Sequence, residues 1–448
     1  LAPRYQGQTD QAPELSALSI RPDIPICQTD LPLDRYQEEF RPYAEEYLAL
    51  PDRLPITVLP WMDRYIQPAL DHFGDQLMLL AHYYMGGEIV KLVERYGGKI
   101  ADSYALALQT RSHPETRVFV ESAVHFMAES IAILAAPEQE VYITNPRSGC
   151  TMEMMAKDYM IEPVFDALED RYGDALMVIA YMNTSGRIKA LAGRTGGAVC
   201  TSSNAHIVLQ WARSQNKKVF FVPDQHLGEN AAAKSGISPD QQFIWPGPKT
   251  EPGLTWNGLG TRRQAACDQA DLILWGGFCG VHTVFRPEHV TYWQERGRRV
   301  LVHPECPKPV VDAADGAGST AYLWREVALA KPGDQLAVAT EGHFVRNARE
   351  QAALRNVDVV HMADIPEPEH QAMGCGCATM SRNDPPHLVA ILDLLRKGEA
   401  PTINRVHPGD AVNERTGWRE RLSDEDQADL VAHARVAMEN MIRVTEAA

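Results

Sequence analysis

A chain of 448 residues with 45% hydrophobic and 23% charged residues can bury a large core; this composition excludes general disorder and predicts two to four domains. The formal charge of -16, from 43 Lys and Arg against 59 Asp and Glu, argues against nucleic acid or an anionic membrane as partner, while leaving room for a local cationic pocket. No apolar run reaches membrane-spanning length, no charged-then-apolar leader opens the sequence, and eight cysteines are too few for a disulfide scaffold, so the expected setting is cytoplasmic.

Residues 1–73 read as a Pro-rich N-terminal extension. Prolines at 3, 13, 22, 25, 32, 42, 51, 55 and 60 interrupt most elements and leave room for short helices over 42–50 and 61–73. Such a segment is expected to wrap the surface or make an oligomer contact rather than carry chemistry.

From Gly74 the chain repeats itself. GDQLMLLAHYY (from Gly74) and GDALMVIAYMN (from Gly173) share their opening, and RRVLVHPE (from Arg298) is a looser third copy. Each predicts a buried parallel strand followed by a helix, over 86–95, 186–193 and 308–314. The alignment places His82, Tyr181 and His303 at one position and Tyr84, Asn183 and Glu305 two residues later. All six fall just beyond the carboxyl ends of strands, where open parallel sheets hold their ligands.

Three further segments recur. Ser103, Ser202 with Ser203, and Ser319 with Thr320 stand at helix entrances, either as N-caps or as anion-binding helix ends. RVFVESAVHF, KVFFVPDQHL and QLAVATEGHF place His125, His226 and His343 in register, with Glu121, Asp224 and Glu341 nearby; the shared histidine reads as a helix cap. Finally, VYITNPRSGC, DLILWGGFCGVH and VDVVHMADIP lead an apolar strand toward Cys150, Cys279 and the Cys375-Gly376-Cys377 loop. The unit is therefore four strands with intervening helices, and three units predict an α/β body of three similar αβα domains with short parallel sheets in pseudo-threefold arrangement. The expected boundaries are 74–150, 151–279 and 280–377, followed by C-terminal helices over 378–448 that pack back on the first domain.

Equivalent placement of Cys150, Cys279 and one of Cys375 or Cys377 leaves three readings open. The thiols are inert core residues, or they bind a four-iron four-sulfur cluster with one iron lacking a protein ligand, or they hold a catalytic zinc. Cys27, Cys200, Cys267 and Cys306 have no repeat partners and read as packing residues.

The motifs AHYY at Ala81, FMAES at Phe126, YMNTS at Tyr181, CTSSNA at Cys200, PDQHLG at Pro223, GFCGVH at Gly277, HPEC at His303, GST at Gly318 and ATE at Ala339 occur in an order that resembles the quinolinate synthase family. The resemblance runs from about Leu77 to Met441. It implies a cytoplasmic enzyme that condenses iminoaspartate, supplied by L-aspartate oxidase, with dihydroxyacetone phosphate to give quinolinate. It also implies a central four-iron four-sulfur cluster on Cys150, Cys279 and Cys377, acting as a Lewis acid in dehydration. Acid–base roles then fall on His82, Tyr84, His303 and Glu305, and substrate binding on Ser103, Tyr181, Asn183, Ser202 and Thr320. A carboxylate such as Glu305 in a closed apolar site is expected to have its pKa raised. The departures from the family pattern are Ala378-Thr379 after Cys377, ADSY around Ser103, GRTGG at Gly193 and a long region over 228–272.

Overall fold

The computed structural model describes residues 18–27, 30–86, 88–367, 376–413 and 418–448. Three parallel sheets organise the chain. The first holds β1 (Leu77–His82), β2 (Lys99–Ala101), β3 (Val118–Ser122) and β4 (Glu140–Ile143), in the order β2-β1-β3-β4. The second holds β5 (Leu176–Tyr181), β6 (Ala198–Cys200), β7 (Lys218–Val222), β8 (Gln242–Trp245) and β9 (Leu272–Trp275), in the order β6-β5-β7-β9-β8. The third holds β10 (Arg299–Val302), β11 (Gly316–Ala317), β12 (Gln335–Ala339) and β13 (Asp358–His361), in the order β11-β10-β12-β13. The sheets thus repeat one topology, and the long 228–272 region supplies the one added edge strand, β8.

Both faces of the first and third sheets are covered, which is why their strands are near-continuous apolar runs instead of alternating ones. In β1, Leu79 and Ala81 join the main core while Leu80 joins a separate cluster with Phe119 and Ile143. In β10, Leu301 faces the main core and Val300 and Val302 face the other side. Since all the strands run parallel, the carboxyl ends of a sheet share one edge, and side chains just past them share one rim.

The extension departs from its expected form. A single helix spans Pro55–Phe73 with Pro60 and Pro68 inside it. Proline weakens a helix by removing backbone hydrogen bonds, but Val58, Trp61, Met62, Ile66 and Ala69 bury one face, and packing against the helix Pro385–Lys397 outweighs that loss. Upstream, Tyr36 and Tyr43 donate their phenol protons to Asp384 and Asp393, at the N-cap and in the body of the same helix.

At the other end, the helix Asp424–Glu446 lies mainly on Gly186–Arg194, beside the second sheet, and only in part on His125–Leu134 of the first. Earlier in the same C-terminal region, Asn383 donates to the Ala123 carbonyl and Asn404 to the Ile143 carbonyl of the first unit. A Cβ on Gly193 would come within 1.9 Å of the His433 carbonyl oxygen, so the glycine of GRTGG lets the helices Gly186–Arg194 and Asp424–Glu446 touch.

Candidate active site

Each sheet delivers two kinds of side chain to the shared rim. The first strand ends in a polar pair: His82 with Tyr84, Tyr181 with Asn183, and His303 with Glu305. The loop after the outer strand of the repeat delivers a thiol: Cys150 after β4, Cys279 after β9 and Cys377 after β13. All these residues, with Ser103, Ser202 and Thr320, line a single cavity. Cys375 lies outside the described residues.

The polar residues form one contact chain across the sheets. Thr320 Oγ1 donates to the Tyr84 hydroxyl at 2.9 Å, and that hydroxyl lies 2.7 Å from Thr340 Oγ1. Thr340 Oγ1 in turn lies 3.1 Å from His282 Nε2. His282 Nδ1 stands 2.8 Å from Glu305 Oε2, an electrostatic contact outside good hydrogen-bond geometry, and Tyr181 donates to Glu305 Oε1 at 2.5 Å. His282 also stacks on His303 with ring centroids 4.5 Å apart.

Ionisation follows from these contacts. Burial alone would raise the Glu305 carboxyl, but the facing His282 ring, helped by His303 and the Tyr181 hydroxyl, holds it down at about 2. This overturns the expected upward shift: the site is buried but not apolar around this group. Burial and the nearby Glu305 charge push the Tyr84 and Tyr181 phenols well above their ordinary value, so both remain proton donors. Burial lowers His82 and His303 to about 3, so both imidazoles are neutral at pH 7. The backbone N–H of Tyr84 donates to His82 Nδ1 at 3.2 Å, and that of Glu305 to His303 Nδ1 at 3.3 Å. The ring proton of each therefore sits on Nε2, and each imidazole is a hydrogen-bond donor there.

The serines divide differently from the cap reading. Asp102, not Ser103, caps the helix Ser103–Ala107 by accepting from Ala105 N. Asn204, not Ser202 or Ser203, stands at the start of Ala205–Ser214. Ser319 does cap Thr320–Leu329. The hydroxyls of Ser103 and Ser202 are thereby spared for the cavity they line. The shared histidines are not caps either: in the second and third copies the caps are the carboxylates of Asp224 and Glu341.

His282 and Thr340 carry the middle of the contact chain, and reading the sequence passed over both. His282 had a signal, three residues after Cys279 within GFCGVH; Thr340 stood within the ATE motif at Ala339, but only the fold brings it beside Tyr84.

Three soft thiols from three separate loops suit a metal centre. Burial raises the pKa of all three, and for Cys150 and Cys279 the neighbouring thiols raise it further, so a metal must displace their protons to bind. Cys279, His282 and Glu305 have ligand atoms all within 4.8 Å of one another. Cys200, Cys267 and Cys306 are buried and are not part of the cavity lining.

Parallel sheets that present thiols and a graded set of proton donors and acceptors to one cavity define an α/β enzyme with a metal centre. A family model described as Quinolinate synthetase A protein matches residues 66–411. Quinolinate synthase of Corynebacterium glutamicum is 34% identical over 409 residues, covering 91% of this chain and 93% of that protein. Quinolinate synthase of Streptomyces coelicolor is 34% identical over 388 residues, with 86% and 93% covered, and that of Geobacillus kaustophilus 36% over 343 residues, with 75% and 85% covered. The chain belongs to the quinolinate synthase family.

Proposed function

We propose that this chain condenses iminoaspartate with dihydroxyacetone phosphate, releasing phosphate and two waters to give quinolinate. The observation that carries the reading is the meeting of three thiol loops and the Tyr84–Glu305 contact chain in one cavity. Cys150, Cys279 and Cys377 would hold a four-iron four-sulfur cluster, which supplies a Lewis-acidic iron without a protein ligand to assist loss of a hydroxyl group.

The chain's own groups divide the remaining work. Ser103, Ser202 and Thr320 offer hydroxyl donors to phosphate and carboxylate oxygens. The Nε2–H groups of His82 and His303 add neutral donors, which orient anionic substrates without titrating near pH 7. Glu305, ionised at Oε1 and Oε2, accepts a proton during keto–aldehyde isomerisation, and the Tyr84 phenol, fixed between Thr320 and Thr340, returns one. Tyr181 and Asn183 orient the substrate. The sequence units 74–150, 151–279 and 280–377 act as the three domains that bring these groups together. On this reading L-aspartate oxidase supplies iminoaspartate and the setting is cytoplasmic.

A second reading places one metal ion on Cys279, His282 and Glu305, three ligands plus an open position. Existing partners oppose it: Glu305 Oε1 already accepts from Tyr181, and His282 Nε2 already faces Thr340.

The test is protein purified without oxygen, analysed for iron, sulfide and zinc, examined by absorbance and electron paramagnetic resonance, and assayed for quinolinate. Four irons and four sulfides per chain with quinolinate formation is the expected result. Stoichiometric zinc, or a full cluster with no quinolinate, overturns the reading.

A further inference from the structure

The third repeated segment places Ala123, Asp224 and Glu341 at one position, and the last two do the same job in two sheets. Asp224 is fully buried: its Oδ1 accepts the N–H of Leu227, capping the helix Gln225–Lys234, and its Oδ2 accepts the N–H of Cys279 at 3.1 Å. Glu341 is fully buried as well. Its Oε2 accepts the N–H of Phe344, capping Gly342–Ala353, and its Oε1 accepts the N–H of Cys377 at 2.8 Å. One carboxylate thus ties a helix start to the backbone of a thiol residue, twice over, from equivalent positions.

The glycines beside these cysteines fit the same device. A Cβ on Gly376 would come within 2.3 Å of His343 Cε1 and 3.0 Å of Glu341 Oε1, and a Cβ on Gly277 within 2.3 Å of the Pro223 carbonyl. Each thiol loop lies too close to its carboxylate-bearing turn for a side chain to intervene. The first copy, with Ala123, solves the problem from outside the repeat. Asn383 donates to the Ala123 carbonyl at 3.1 Å and to Ser148 Oγ at 3.0 Å, and it accepts from Thr144 Oγ1 at 2.5 Å, bracing the loop that leads to Cys150.

We propose that Asp224 and Glu341 are positioning residues of the metal centre: they aim the Cys279 and Cys377 loops and engage the backbone N–H groups that would otherwise turn toward the sulfurs. This rests on the reading of those cysteines as cluster ligands. Hydrogen bonds to cluster sulfurs and the net charge around a cluster set its potential. A side chain that holds one backbone N–H away from the sulfurs therefore favours the oxidised cluster.

In Asp224→Asn and Glu341→Gln the two N–H donors persist, but one carboxyl oxygen becomes an NH₂ donor, so one bond of the pair is lost. The experiment uses reconstituted full-length protein and measures the rate of iron transfer to a chelator, the reduction potential and the electron paramagnetic resonance spectrum. Expected are roughly tenfold faster iron release and a more positive potential in both variants, in line with the 10–100-fold cost typical of removing outer-shell partners. Glu341→Asp, which retains both oxygens, should restore part of the loss. Ser423→Ala, which removes only the cap of Asp424–Glu446, should change neither readout. Wild-type release rate and potential in a folded Asp224→Asn or Glu341→Gln protein overturn the proposal; if one variant does not fold, the other decides. Failure of the underlying reading is distinguishable, since wild-type protein would then hold no cluster, or Cys279→Ser would keep it.

Discussion

The thiol face and the polar face of the cavity come from the same repeat but have diverged to different degrees. The thiol position carries cysteine after each outer strand, at 150, 279 and 377. The position after the first strand carries His-x-Tyr, Tyr-x-Asn and His-x-Glu, different in every copy. A metal centre bound from three sides makes the same demand three times, and one residue type satisfies it. A substrate pair with phosphate, carboxylates and a migrating proton makes unlike demands, so each strand end offers a different group. Symmetry fixes where side chains stand, and departures from it mark where the chemistry is directional.

If the two faces are separable, replacing a thiol and replacing an acid–base group should fail differently. Cys150→Ser, Cys279→Ser and Cys377→Ser should each lose iron and abolish quinolinate formation, because a hydroxyl holds iron less well than a thiolate. Cys200→Ser and Cys267→Ser should retain both. Iron content and product formation, measured without oxygen on the same preparations, check this.

The next effect is on turnover alone. Glu305→Gln keeps the side-chain shape and removes the proton acceptor, so turnover should fall by about two to four orders of magnitude while iron and product affinity persist. Loss of metal in this variant would break the separation and move the metal onto Cys279, His282 and Glu305.

Much of this geometry was legible in the sequence for a specific reason. A strand buried on both sides must be apolar along its length, so three such runs with matching flanks align almost without ambiguity, and residues just past them inherit that register. Finer detail needed the fold. A one-residue offset separates Asp102, which caps, from Ser103, which lines the cavity, and propensity does not resolve that. Glu305 is buried as anticipated, but its ionisation depends on His282 and Tyr181, which are distant in sequence. The extension misled through its prolines, whose local cost is plain in the sequence while the compensating aromatic packing on Pro385–Lys397 is not.

That extension supplies a third term to the comparison, a region that serves stability rather than either face. Tyr36→Phe preserves the stack of ring 36 on His387, at 4.8 Å between centroids, and removes only the donor to Asp384. Asp384 keeps its bonds from the His387 backbone and ring. A hydrogen bond to a charged group contributes about 1.5–3 kcal/mol, so denaturant resistance should fall by that order. Iron content and turnover at saturating substrate should not change; a drop in either would assign the extension to the site.

The smallest expected effect concerns histidines off the cavity. His206 is lowered to about 4 by burial and by Lys234, and His407 to about 4 by burial and by Arg421, Arg419 and Arg405. In the unfolded chain such a group titrates near 6.5. Above that pH both states hold neutral imidazole and stability is at its full value. As pH falls from about 6.5 toward 4 the unfolded state takes up protons that the folded state refuses, so stability declines across that window and levels off below it. Solvent screening makes each contribution modest, because both residues are only partly buried. His82 and His303, inside the cavity, have the same sign, but metal and ligand should alter their share. The double variant His206→Gln with His407→Gln should therefore flatten the decline between pH 7 and pH 5 by the same amount with and without bound metal, as read by chemical denaturation. A flattening that appears in only one of the two forms would show that these outer groups are coupled to the centre, and would set aside the separation of the cavity from its surroundings.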